Sequence, residues 1–223
     1  SVVSPERIVG VLVDNASESF IRFRREGEIE VRSGAARLVL MTGKLPEIIE
    51  TYTRLTGRPA MPPKWSLGYH QCRWSYQNED EVRDLVKGFE ELKLPLSAVH
   101  LDIHYMDGYR VFTADSERFP DMKQLSDFLH EKGIRLVTTM DPGVKLDLEY
   151  PVYQEALEGD HLLKTPDGKV VTGPVWPGTC AFPDFTRKET RRWWGDHYRK
   201  VVEWGVDGVW HDMNEPAVFT AWG

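Results

Sequence analysis

Between Trp65 and Trp210 the chain switches repeatedly between short apolar runs and amphipathic stretches with explicit start and stop signals. WSLGYH (65–70) reads as a strand. Asn78 then opens a helix with Glu81 completing a capping box, and Val82, Leu85, Val86, Phe89 and Leu92 form its apolar stripe before Pro95 stops it. Ser97 to Ile103 (SAVHLDI) is a second strand. Asp121 caps a second helix, with Leu125, Phe128 and Leu129 inward and Gly133 at its end, and Ile134 to Met140 is a third strand. Thr186 and Glu189 form a capping box for a third helix, striped by Trp193, Trp194, His197, Tyr198, Val201 and Val202 and ended by Gly205, and Val206 to Trp210 is a fourth strand. The order β-α-β-α-β-α-β implies an α/β fold, a parallel sheet with helices packed outside it.

Residues 1–45 have a different texture. VGVLVDN, FIRFRR, EIEVRS and ARLVLMTG are short runs rich in Val, Ile and Phe, broken by Asn15, Gly27 and Gly34, and read as the end of a β-rich domain. Residues 46–64 form a helix and linker, LPEIIETYTRLTG followed by the proline-rich RPAMPPK. The remainder, 65–223, is the α/β region. It is interrupted by an excursion near 144–185, in which Thr165-Pro-Asp-Gly168 marks a hairpin tip.

Composition narrows the function classes. A net charge of −7 without a long basic stretch argues against a nucleic-acid surface. No apolar run reaches the roughly 20 residues that cross a bilayer, and the start SVVSPERIVG lacks a long apolar leader core, which favours a cytoplasmic location. The two cysteines, Cys72 and Cys180, read as free thiols. Phosphate loops, the GxSxG elbow and CxxC pairs are absent from the sequence. His100 and His104 would stand about 13 Å apart on a strand, too far to share an ion. The reading therefore includes no metal and no cofactor.

In parallel sheets chemistry gathers where strands exit. Asp102, Asp141 and Asp212 stand at successive exits, and Tyr69, His70, Arg73 and Trp74 at the first. Carboxylates and aromatics without a cofactor suit glycoside cleavage, which needs a carboxylate near the anomeric carbon and a carboxylic acid for the leaving oxygen. In retaining enzymes these lie about 5–5.5 Å apart. Asp212 and Glu215 could approach that spacing on a turn, so spacing alone leaves them open as the pair.

WSLGYHQCRWSY (65–76), LDIHYMDGYRVFT (101–113), ERFPD (117–121), LHEKG (129–133), MDPGV (140–144), VWPG (175–178), FPDFT (182–186) and VWHDMNEPAVF (209–219) occur in one order. Together they resemble the first half of the catalytic barrel of glycoside hydrolase family 31. The resemblance implies a partial (β/α)8 TIM barrel of about four βα units, preceded by the end of a β-sandwich domain. It implies that Asp212 is the nucleophile and Glu215 a supporting carboxylate, while the general acid/base comes from a later strand beyond Gly223, so that the chain is expected to be a fragment. It further implies that Asp102 holds sugar hydroxyls with Ile103 beside it, and that Asp141 is another polar residue of the pocket. Trp176, Trp210 and Met213 would wall the subsite, with Val144 lining it. Trp74 stands where a tyrosine is common, and His104 where many relatives carry aspartate. Asp107, Asp184 and Arg110 read as loop anchors.

DMNEP resembles the α-glucosidase branch, whereas relatives acting on α-xylosides usually read DFGE. The implied reaction is release of α-glucose from the non-reducing end of α-glucosides, including malto- and isomalto-oligosaccharides, with retention. A non-catalytic sugar-binding homologue and a transglucosidase are the alternatives. The partners implied are the sugar substrate and the remaining half of the barrel, with an oligomer possible and neither nucleic acid nor membrane involved.

Overall fold

A computed structural model describes residues 3–4, 7–15, 17–23, 27–35 and 37–219. The chain divides into two compact units, Ser1–Pro62 and Pro63–Gly223.

The first unit contains strands β1 (Val3–Ser4), β2 (Arg7–Asp14), β3 (Ser19–Phe23), β4 (Gly27–Val31) and β5 (Arg37–Gly43), followed by helix α1 (Leu45–Thr56). β1, β2 and β5 form one antiparallel sheet and β3–β4 a separate hairpin. Helix α1 rests on the sheet through buried Ile48. Gly10 permits this approach, because a Cβ there would lie 2.9 Å from the Ile48 side chain. Glu47 accepts from the Lys44 backbone N–H at 2.9 Å and so covers an unpaired donor at the helix start.

The second unit contains β6 (His70–Gln71), α2 (Glu79–Glu91), β7 (Ala98–Leu101), α3 (Met122–Glu131), β8 (Arg135–Met140), β9 (Val144–Lys145), α4 (Pro151–Glu158), β10 (Thr172–Val175), β11 (Gly178–Ala181), α5 (Lys188–Glu203) and β12 (Gly208–His211). β6, β7, β8 and β12 are neighbours in that order and all parallel, an arc of an α/β barrel. Val99, Leu101 and Leu136 on the strands are buried in one core with Val82, Val86, Leu125, Leu129 and Val201 from the helices.

Two helix starts follow the sequence closely. Asn78 accepts from Glu81 N–H at 3.0 Å, and Asp121 from Gln124 N–H at 2.9 Å. The third does not. Arg187 occupies the position before α5 and makes no side-chain cap. The Thr186 hydroxyl and N–H both donate to Asp184, at 2.6 and 3.0 Å, and this local turn removes Thr186 from capping.

The expected first strand is also shorter than WSLGYH. Lys64–Leu67 is a 3₁₀ turn in which Ser66 donates twice to the Pro63 carbonyl, so pairing starts only at His70. The excursion carries its own structure. β9, β11 and β10 form a small antiparallel sheet, α4 packs beside it, and Gly168 N–H closes the turn on Thr165 at 2.8 Å. α5 ends at Gly205, whose φ is +82° and where a Cβ would stand 2.3 Å from the Ser126 hydroxyl. Among the described residues, no helix is long and apolar enough to cross a membrane.

Candidate active site

Strand alternation decides which side chains can reach the site. Val99, Leu101, Leu136 and Met140 are spent on the core shared with the helices. The inner face of the arc therefore receives His100 and Asp102, then Val137, Thr139 and Asp141, then Gly208, Trp210 and Asp212. The register aligns these rows. His100 pairs with Val137 and Val137 with Gly208, and Thr139 pairs with Trp210. The last pair is Met140 with His211, so Asp141 and Asp212 are the next residues out, on strands about 4.8 Å apart.

Burial is the main reason that Asp141 is held well above the usual carboxylate range, at about 7, with the Asp212 and Asp102 charges adding to it. The residue is 7% exposed and its Oδ1 meets no hydrogen-bonding partner. Asp102 is also raised, first by burial and then by Asp212, against the lowering effect of the Ile103 N–H that donates to it at 2.8 Å. Asp212 is exposed, and its Oδ1 accepts from Met213 N–H at 2.9 Å. Met213 adopts a φ of +57°, uncommon for a residue with a side chain. That side chain packs on Val175, Cys180 and Phe182 of the excursion. The Phe219 N–H donates to the Pro174 carbonyl at 2.9 Å, laying the segment after Asp212 along β10.

An aromatic cluster reaches His104, on which the Asp102 charge acts. Trp74, 68% exposed, lies 5.8 Å from Trp176, and Trp176 meets Phe219 edge-on at 4.9 Å. Trp74 also contacts His104 at 6.4 Å, and the Tyr109 hydroxyl lies 3.3 Å from His104 Nε2. Trp210 sits one row below Asp212, where its ring meets His100 at 6.4 Å.

The candidate residues divide by position. Asp102, Asp141 and Asp212 converge, and Trp74 and Trp176 pack on each other, with Trp74 also against His104. Glu215 is exposed on the turn after Asp212. The side chains of Ile103 and Val144 are buried in the main core, and Ile103 reaches the site through its N–H. From the first exit, Trp74 belongs to the aromatic cluster and His70 to the inner face. Tyr69 turns toward Phe89 of α2, and Arg73 pairs with Glu81 at 3.4 Å. Arg110 holds Asp147 at 2.8 Å, tying the loop after β7 to the one before α4.

One arrangement escaped the sequence reading. His70 Nδ1 lies 3.0 Å from His100 Nε2, and His70 Nε2 lies 3.3 Å from the Trp65 carbonyl. A carbonyl only accepts, so His70 Nε2 donates to Trp65, and a second proton lies between His70 Nδ1 and His100 Nε2. Burial, then His70, disfavours charging His100. Its place two residues before Asp102, on the same strand face, was the available signal. Among the described residues no group of three or more His, Cys, Asp or Glu is arranged to hold a metal ion.

A profile described as Glycosyl hydrolases family 31 TIM-barrel domain matches residues 59–223. Alpha-glucosidase 2 of Bacillus thermoamyloliquefaciens is 47% identical over 214 residues, covering 94% of this chain and 27% of that protein. Alpha-xylosidase 1 of Arabidopsis thaliana is 36% identical, covering 94% of this chain and 23% of that protein. A solved family 31 alpha-glucosidase from Bacteroides thetaiotaomicron superposes with a TM-score of 0.86 at 37% identity, covering 94% of this chain and 36% of that one. The chain thus spans about a quarter of the length of these curated relatives. On the profile, the identities and the shared barrel arc, this chain belongs to glycosyl hydrolases family 31.

Proposed function

We propose that the chain carries the nucleophile side of a retaining α-glucosidase that releases α-glucose from the non-reducing end of α-glucosides, including malto- and isomalto-oligosaccharides. The observation that carries this reading is Asp212 at the exit of β12, its carboxylate oriented by the Met213 N–H and flanked by Asp102 and Asp141. The alpha-glucosidase names of the relatives in Bacillus and Bacteroides support the substrate class.

In the proposed reaction a carboxylate oxygen of Asp212 bonds to the anomeric carbon as the C1–O bond breaks. The leaving oxygen takes a proton from an acid carboxyl supplied by chain beyond these 223 residues. Water then attacks the β-glucosyl ester, gives its proton to the same group now acting as base, and frees Asp212 with net retention. The carboxylate charge stabilises the oxocarbenium-like transition states on both sides of the intermediate. Asp102, with Ile103 beside it, holds sugar hydroxyls, and Asp141 adds a polar group to the pocket. Trp74, Trp176, Trp210 and Met213 wall the subsite, and Glu215 supports the turn. No cofactor takes part. The remaining barrel segment is the partner that completes the site. A cytoplasmic location belongs to the proposal, and fractionation of native cells tests it.

The test uses the polypeptide at its natural full length and a fluorinated α-glucosyl fluoride. Fluoride leaves without protonation, so trapping interrogates the nucleophile separately from the acid. An adduct mass on the Val206–Phe219 peptide, localised to Asp212, is expected. An adduct on Glu215 would overturn the assignment, and binding of glucose without any adduct would favour a non-catalytic sugar-binding protein. Product analysis at high maltose distinguishes hydrolysis from glucosyl transfer. A second reading, action on α-xylosides, has the Arabidopsis relative behind it. The ratio of kcat/KM for matched aryl α-glucosides and α-xylosides decides between them.

A further inference from the structure

Asp141 is the least solvated of the converging carboxyls, at 7% exposure, and its Oδ1 lies buried without a hydrogen-bonding partner. Its place is set by the sheet. Met140 pairs with His211, so Asp141 and Asp212 leave adjacent parallel strands side by side. The groups acting on Asp141 come from several elements: Asp212 beyond β12, Asp102 beyond β7 and Thr139 on its own strand. Tyr105, in the turn after β7, and Cys180 of β11 also face it. The Tyr105 hydroxyl is committed to the Thr139 carbonyl at 2.7 Å. No cation is among these groups. Buried beside like charges, the Asp141 carboxyl favours its protonated form.

We propose that the Asp141 carboxyl donates a hydrogen bond to Asp212 across the two strand exits and is a positioning residue for the attacking carboxylate. The inference rests on Asp212 being the nucleophile. The Met213 N–H already holds Asp212 Oδ1, and the Asp141 hydroxyl supplies a second hydrogen bond that fixes the carboxylate's rotation. It also stabilises Asp212 as that carboxylate departs from the glucosyl ester. This role differs from contact with a sugar hydroxyl, since it acts on the rate of bond formation and not on ground-state binding.

The test measures kcat/KM for α-glucosyl fluoride against pH in the full-length protein, because this leaving group removes the acid/base from the profile of the first step. The wild-type rate is expected to fall as the pH rises through the neutral range, where Asp141 loses its proton. Asp141→Asn keeps a donor of the same size that cannot titrate. It should stay within about tenfold of wild type at pH 6 and lose that alkaline limb. Asp141→Ala should lower kcat about a hundredfold with little change in KM.

An unchanged alkaline limb in Asp141→Asn would overturn the inference, as would an Asp141→Ala variant whose KM rises while kcat holds, which would place Asp141 on the sugar. Circular dichroism of both variants separates misfolding from these effects, and the Asn variant decides if the Ala variant fails to fold. Trapping on Asp212 in the wild type, with no change of limb in Asp141→Asn, sinks the inference alone. Failure to trap on Asp212 in the wild type sinks the nucleophile assignment and the inference with it.

Discussion

The Asp212 carboxylate is held at the rim of a strand by a backbone N–H and stays open to solvent in this structure. A nucleophile so placed makes a specific chemical prediction. Asp212→Gly in the full-length protein should lose turnover by about a thousandfold or more. Azide should then restore glucose transfer from α-glucosyl fluoride, giving β-glucosyl azide, because the small anion enters from the face that the carboxylate vacated. Recovery of the α-azide, or no rescue in a folded variant, would count against Asp212.

Asp141 makes a prediction about stability. Its folded pKa, about 7, lies above the ordinary 3.8, so the fold binds its proton more tightly than the unfolded chain does. That contribution is full at acid pH and is lost as pH rises through the folded value. Asn cannot ionise. Asp141→Asn should therefore gain stability relative to wild type as pH rises from about 4 to about 8, reaching on the order of 2–4 kcal/mol. Denaturant titrations at several pH values check this, and a difference independent of pH would refute it.

Among the elements, the caps and the strand faces carry most of the local specification. Removing the Asn78 side chain with Asn78→Ala should cost about 1 kcal/mol, read from the denaturation midpoint, because the Glu81 N–H loses its acceptor. Leu129→Ala, in the shared core, should cost about 2–5 kcal/mol by the same measurement. These positions were legible beforehand, since Asn78 and Asp121 stand directly before periodic apolar residues. The start of α5 was not, because Thr186 had two local options and Asp184 took it. The 3₁₀ turn at Lys64–Leu67 was missed for the same kind of reason, a serine bonded to a nearby carbonyl.

For the whole molecule, the four parallel strands leave β6 and β12 each with one neighbour among the described residues. A polypeptide limited to these 223 residues is expected to self-associate in solution, since open strand edges and a half-covered inner face seek partners. It is also expected not to turn over maltose, lacking the proposed acid carboxyl. Light scattering and a glucose-release assay check both. A monodisperse, fully active 223-residue chain would contradict the division of the site proposed here.

The sequence by itself determined the alternation of strands and helices, two of the helix caps, the strand-exit positions of Asp102, Asp141 and Asp212, and the motifs that carry the family resemblance. These are local or periodic properties, and each can be read within one turn or one strand. Only the tertiary structure decided which of the carboxyls is buried, how the strands register so that Asp141 and Asp212 leave adjacent strands, and that His70 and His100 bond beneath Asp102. It also showed that Tyr69 and Arg73 turn toward α2 while Trp74 joins Trp176. Burial and proximity depend on chain segments far apart in sequence. They shift a carboxyl's proton affinity through desolvation and charge, which no local pattern of residues encodes.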